Sequence, residues 1–378
     1  MMKLTCKQEN LNRGLGIVGR AVAARTTLPI TQNVLLATDE GRLRLAATNL
    51  EIAISCWIGG MIEEEGSITV PARLLSEFVG SLPTDNLEMS LPGGSRVLEL
   101  HCARFQARIS GTDASDFPPI PQLSEGISTS MEADTLRHAV AQVILAAATD
   151  ESRPVLTGIQ CEFEGDKLTL AAADGFRLAV RYTNVATTVS EKVAAIIPAR
   201  SLNELNRLIA DQEEPVQIIL NPQRGQVQFR LKDVEMVSQI IQGTFPNYSQ
   251  LIPQSCTTRA VVDVGEFTRA TRMASIFARD GAGIVRLETT PGEEAALGKL
   301  KVSARAEEVG DNVGELDAAV EGDSSKIAFN SKYLTDVLGV VKQSQVALET
   351  TTPSSPGVVR PVGDDSYIYV VMPMFVQW

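Results

Sequence analysis

At 378 residues the chain is longer than one hydrophobic core usually grows, roughly 250 residues, so two or three domains are expected. Its 44% apolar and 21% charged residues are globular values, no segment reaches the roughly 18 uninterrupted apolar residues of a membrane helix, and "MMKLTCKQEN" has no apolar run behind its lysine; a cytoplasmic address with no membrane partner is the expectation. A net charge of -12 repels a phosphate backbone when spread over the whole surface, so a nucleic-acid role requires positive charge gathered in one place.

The first element is "ENLNRGLGIVGRAVAART" from Glu9, where Leu11, Leu15, Val18 and Val22 follow the 4-3-4 spacing of one helical face and predict a helix over 8–26. It contains a G-x-G-x-x-G match at Gly14, Gly16 and Gly19, with Asp39 twenty residues beyond. A dinucleotide site needs those glycines at a strand-to-helix turn; here they lie inside the helix and Pro29 follows too soon for a crossover, so an oxidoreductase is the weaker alternative and no cofactor is expected. The alternating strand "GRLRLAA" (41–47) and a second helix over 70–83, "VPARLLSEFV", come next. His101 falls on a strand in "LELHCARF", and the proline-rich "DFPPIPQLSEGIS" (116–128) closes the segment.

The same order then recurs. "ADTLRHAVAQVILAAATD" places Leu136, Val140, Val143 and Ala147 on one face and predicts a helix over 132–153, with His138 on its surface. "GDKLTLAAADG" (165–175) is a strand ending in the Asp174-Gly175 hairpin signal, "IPARSLNELN" opens a helix over 197–210, and "TFPNYSQLIPQS" (244–255) closes the unit. The third pass gives a helix over 263–280, the strand "GKLKVSA" (298–304), a helix over 329–343 from "FNSKYLTDVL", and the ending "YVVMPMF". The second helices start at Val70, Ile197 and Phe329, 127 and 132 residues apart, so the chain is three copies of one unit. The expected domains are 1–122, 129–254 and 258–378, each α+β, with two helices on one side of an antiparallel sheet.

Catalytic and metal chemistry find no support. The five cysteines (Cys6, Cys56, Cys102, Cys161, Cys256) form no C-x-x-C pair and read as buried thiols; neither histidine has a catalytic constellation, and the acidic runs 62–66, 211–215 and 321–325 read as solvated turns. The charge distribution is more telling. The six predicted helices carry thirteen Lys or Arg against eleven acids, whereas the rest of the chain carries twenty-one against thirty-five. Arg73, Arg200 and Lys332 occupy the same place in all three second helices, a threefold basic position suited to loose contact with duplex phosphates without base readout.

Six motifs in order, "RTTLPIT" (25–31), "VPAR" (70–73), "ADGFRLAV" (173–180), "GTFPNYSQLIP" (243–253), "FNSKYLTDVL" (329–338) and "YVVMPM" (369–374), give the chain a full-length resemblance to the bacterial DNA polymerase sliding clamps. The resemblance implies two chains closed head to tail into a ring around double-stranded DNA, tethering the polymerase, the clamp loader and repair proteins through short peptides; a specialised paralogue with other partners is the alternative. It places DNA contacts at Arg25 and Arg73, with Arg200 and Lys332 added by repeat equivalence and Arg153 from the loop "TDESRPV" (149–155), where Asp150 and Glu151 oppose such a contact. It implies a peptide cleft formed by Leu156, Gly175, Phe176, Arg177, Leu178, Pro246 and Leu251 together with Asn330, Tyr333, Val370, Met372, Pro373 and Met374. Methionine suits such a cleft because its unbranched side chain repacks around different ligands. Two departures from the family are Phe176, expected to make the cleft rim bulkier, and the ending "FVQW", expected to narrow or partly cover the cleft; Phe105, Ile276 and Phe277 are the implied dimer contacts.

Overall fold

A computed structural model describes residues 1–210, 212–278, 283–293, 296–306 and 310–377. Its helices are α1 (Gln8–Val18), α2 (Ala72–Ser81), α3 (Ala133–Ile144), α4 (Ala199–Leu208), α5 (Val264–Phe277) and α6 (Ser331–Leu338). They fall where the periodicity puts them, and all are shorter than predicted. Before α2 and α4 the predicted starts belong to strands Ser67–Pro71 and Val193–Pro198; a proline at the joint has no N–H to give up as the chain turns helical. Gly19 caps α1 and leads through a 3-10 turn to an extended Val22, which therefore leaves the helical face. After α3 the amides of Ala146 and Ala147 reach back only three residues, and that of Ala148 bonds across to Leu156, so the chain has left the helix before the loop at Thr149. Of the span predicted for α5, Arg279 and Asp280 lie outside the described residues.

Contacts divide the chain into two compact units, Met1–Asp134 with Glu204–Ile240, and Thr135–Asn203 with Ile241–Trp378. The first holds a five-stranded antiparallel sheet ordered Met61–Glu64, Met2–Lys7, Asn86–Leu91, Val97–Cys102, Phe105–Ser110. It also holds an eight-stranded one ordered Ile127–Met131, Val216–Asn221, Gln226–Arg230, Val234–Gln239, Ile52–Ile58, Arg42–Thr48, Asn33–Asp39, Ser67–Pro71. The second unit is built on twelve strands ordered Val193–Pro198, Gly158–Glu164, Lys167–Ala173, Arg177–Asn184, Tyr367–Val371, Gly357–Pro361, Gln345–Thr350, Thr258–Asp263, Gly310–Gly322, Gly298–Ala306, Ile284–Thr290, Ser325–Asn330. In the first unit α1 packs with α2, and in the second α5 packs with α6.

The repeat does not keep its sheets to itself, which the periodicity alone does not anticipate. Middle-repeat strands join first-repeat strands where Val234–Gln239 pairs with Ile52–Ile58, and third-repeat strands where Arg177–Asn184 pairs with Tyr367–Val371. Edge strands expose a row of unpaired backbone groups, and pairing across the joint removes that liability. Local geometry nevertheless repeats at an offset of 125 residues. Ala23 N bonds to Thr31 O as Ala148 N does to Leu156 O. The Asn49 side chain accepts from the amides of Glu51 and Ile52 as Asp174 accepts from Phe176 and Arg177.

The glycine motif is a packing feature. A Cβ on Gly14 would come within 3.2 Å of Leu45 and Ile58, so that glycine lets α1 approach its sheet, while Gly16 and Gly19 face open space. Four cysteines are buried as expected; Cys256 is exposed, because it lies in the connecting stretch after Leu251 rather than in a strand. His101 lies on the strand Val97–Cys102, but His138 is half-buried rather than at the surface of α3, and burial followed by the nearby Lys342 and Arg181 lowers its pKa.

Gly357 shows how tightly the second unit is packed: a Cβ there would lie 2.4 Å from the ring of Phe329, which is wholly buried. Gly357→Ala is expected to cost about 1–3 kcal/mol through overpacking, read as a lowered denaturation midpoint at unchanged m-value.

Candidate peptide cleft and nucleic-acid interface

The basic positions are all exposed, but the structure corrects the picture of a free positive lining. Arg73 on α2 bonds to Glu77 one turn on at 2.8 Å, and Lys332 on α6 bonds to Asp336 in the same i,i+4 relation at 2.8 Å. Arg200 on α4 is 2.9 Å from Glu151. Each repeated cation therefore has an acidic partner in the absence of a ligand. Such pairs contribute little where water surrounds them, so a phosphate competes for these cations at small cost. Arg25 differs: it stands exposed in the loop after α1 with no carboxylate in ion-pair range among the described residues. The acids of the 149–155 loop have separate duties. The amide and hydroxyl of Ser152 donate to Asp150 at 2.9 and 2.6 Å, hydrogen bonds that hold its pKa below the usual carboxylate value, and Glu151 faces Arg200. Arg153 instead donates to the carbonyl of Asp174 at 3.0 Å, on the peptide-cleft side.

The cleft residues assemble around the joint between the strands Arg177–Asn184 and Tyr367–Val371. Leu156, Leu178 and Val370 belong to one buried cluster with Ala148, Ala173, Val180, Phe245 and Ile368. Above this floor Phe176, Leu251 and Met372 remain about half exposed, at 57%, 53% and 41%. The Met372 amide donates to Phe176 O at 2.8 Å and the Met374 amide to Ala328 O at 2.7 Å; Pro373 between them offers no donor, so the chain leaves strand pairing there. Gly175 turns the hairpin at φ 94°, and a Cβ on it would lie 3.0 Å from the Arg153 guanidinium, so the position is closed to side chains on both counts. Pro246 is exposed while its neighbour Phe245 is the buried anchor, edge-on to Tyr248 with ring centroids 6.3 Å apart.

Arg177 is the electrostatic centre. Its side chain is 9% exposed, bonds to Asp174 at 2.9 Å and Asp336 at 2.7 Å, and lies over the Tyr333 ring at 4.5 Å. Burial by itself pulls its pKa down, but the Asp336 hydrogen bond, the neighbouring Tyr369 and Asp174 outweigh it and raise the value, so the guanidinium stays charged. Tyr333 is fixed in turn, its carbonyl accepting from the Tyr369 hydroxyl at 3.1 Å, and Asn330 caps α6 by accepting from the Lys332 amide at 2.9 Å. Sequence reasoning missed Asp174 and Asp336 as the partners of Arg177; the available signal was that each repeats a position whose neighbours were already singled out, the hairpin turn and the residue one turn beyond Lys332. The terminal segment is tied to the third repeat, with Gln377 O accepting from Arg286 at 3.2 Å and Phe375 88% exposed; Trp378 lies outside the described residues. Of the implied dimer contacts, Phe105 and Ile276 are 54% and 55% exposed and Phe277 is partly buried, so the first two are not core residues.

These features define a class: a threefold α+β repeat with paired basic helix positions and, at a joint between repeats, a buried apolar cluster edged by exposed Phe176, Leu251 and Met372. The DNA polymerase III β subunit family matches in three consecutive parts, its N-terminal domain over residues 2–121, its central domain over 130–247 and its C-terminal domain over 249–375. The β sliding clamp of Synechococcus elongatus is 32% identical over 376 residues, 99% of each chain. The solved DNA polymerase sliding clamp of Bacillus subtilis superposes with a TM-score of 0.94 at 28% identity over all of both chains. That of Pseudomonas aeruginosa bound to griselimycin does so at 0.91 and 28%, over 99% of this chain and 100% of its own. The chain belongs to the DNA polymerase III β subunit family, the bacterial sliding clamps.

Arg177→Met leaves the largely buried Asp174 without its cation and Asp336 with Lys332 alone. It is expected to cost about 2–4 kcal/mol in urea denaturation, more than removing any of the exposed pairs.

Proposed function

We propose that this protein is a sliding clamp: two chains close head to tail into a ring around duplex DNA and tether the replicative polymerase and other DNA-processing proteins by short peptides. The observation that carries this is the match of all three family domains, in order, along nearly the whole chain. The domain bounds we assign are 1–122, 129–254 and 258–378. Arg25, Arg73, Arg153, Arg200 and Lys332 are proposed as the phosphate contacts, with Arg25 the most readily available and Arg153 the least, since its guanidinium is already engaged with Asp174. Weak, screened contacts serve a ring that must move along DNA, because topology rather than affinity keeps it there. The role is tethering rather than catalysis, and its setting is the cytoplasm; among the described residues no helix is long and apolar enough to cross a membrane.

The cleft is proposed to take a peptide through the floor of Leu156, Leu178 and Val370 and the edge residues Met372 and Met374. Burying two leucine-sized side chains supplies roughly 1.5–3 kcal/mol each, which suits partners that exchange. Dimer closure is supported by two of the open strand edges, Phe105–Ser110 and the Gly310–Ala318 stretch, which among the described residues pairs only with Gly298–Ala306. Backbone pairing between such edges, with Phe105, Ile276 and Phe277 beside it, closes a ring.

Sizing at micromolar concentration is expected to give twice the 40.7 kDa chain mass. Protein loaded on nicked circular duplex is expected to stay bound until the circle is cut and then to run off the ends; retention on linear DNA without end blocks overturns topological binding.

A further inference from the structure

The loop between α3 and the 3-10 turn Pro154–Thr157 reaches toward the proposed DNA face and the proposed cleft at once. On one side Glu151 holds Arg200 at 2.9 Å, with the two side chains 77% and 76% exposed. On the other, Arg153 donates to Asp174 O at 3.0 Å, and the Asp174 carboxylate accepts from the amides of Phe176 and Arg177 at 2.8 and 3.0 Å, fixing the turn at the cleft edge. The base of the loop is stitched by Ala148 N to Leu156 O at 2.8 Å, and both residues belong to the cleft floor. Between the loop and α4 lies an open hollow of about 500 Å3 bordered by Ile144, Ala147, Thr157 and Asn203. The loop is thus not packed down on α4 at this point, and the Glu151–Arg200 pair bridges the rim.

We propose that Glu151 couples DNA occupancy to the peptide cleft. A phosphate attracts Arg200 and repels Glu151, so a duplex lying along α4 breaks the pair and frees one end of the loop. Arg153 and the Asp174 turn then lose part of their pre-organisation, and a peptide must supply that ordering as it binds. DNA occupancy therefore weakens the peptide's hold, and by reciprocity a bound peptide, which favours the closed loop, loosens the Arg200 contact to phosphate. Because an exposed pair is worth little, the coupling is about twofold to fivefold, enough to bias exchange among partners without evicting them. This coupling rests on the DNA and cleft assignments made above.

The test uses a fluorescein-labelled short peptide with two leucines, read by anisotropy against the full-length protein, free or loaded on nicked circular duplex. The wild type is expected to bind it about threefold more weakly on DNA. Glu151→Gln is expected to show the weaker value already when free, with no further change on DNA. Arg200→Gln and the double variant, both measured free of DNA, are expected to match Glu151→Gln, since either substitution breaks the same pair. Equal wild-type affinity with and without DNA, or effects of the two substitutions that add, overturns the coupling while leaving the cleft intact. A wild type that does not bind the peptide in either state removes the cleft assignment and the coupling with it.

Discussion

The second unit depends on the pairing of Arg177–Asn184 with Tyr367–Val371. That backbone ladder turns the last strand of the chain into the neighbour of a middle-repeat strand and makes twelve strands one sheet. Everything proposed for the cleft hangs on it. The floor residues Leu178 and Val370 face each other in its register, Met372 bonds to Phe176 one step beyond, and Arg177 at its end is placed to reach Asp336 on α6. Hydrogen-bonded strands are stiff, so the floor is fixed while the rim, built from Phe176, Leu251 and two methionines, can adapt. A rigid floor with an adaptable edge is what recognition of several related peptides requires.

Charge is handled differently in two places, and the contrast follows from solvent. Arg177 is desolvated and must be neutralised by two carboxylates and a ring face, or it would not be buried at all. Arg73, Arg200 and Lys332 are solvated, and their acidic partners hold them only lightly. The first arrangement organises a binding surface; the second leaves cations that exchange one anion for another at little cost.

The glycine motif near the start illustrates how a pattern acquires meaning from context. Gly14 is required because Leu45 and Ile58 approach α1 closely, a packing reason that the sequence permits but does not reveal. Arg153 likewise gains a local duty from the fold, since its hydrogen bond attaches it to the hairpin at Asp174.

The sequence by itself determined the threefold repeat, the α+β class, the six helix locations, the proline joints and the family, because periodicity, turn residues and motif order are local and survive without coordinates. It also named the residues proposed for the cleft, through motifs that sit on strand ends and hairpins. Helix ends were beyond it where they depend on a distant partner, as the Ala148 amide leaves the helix for Leu156 O, a partner fixed only when the chain folds back. Only tertiary structure decided that neighbouring repeats share sheets, that Arg200 meets Glu151, and that Asp336 closes on Arg177. Those contacts join residues as far apart as Arg177 and Asp336, and no spacing rule along the chain specifies a partner 159 positions away.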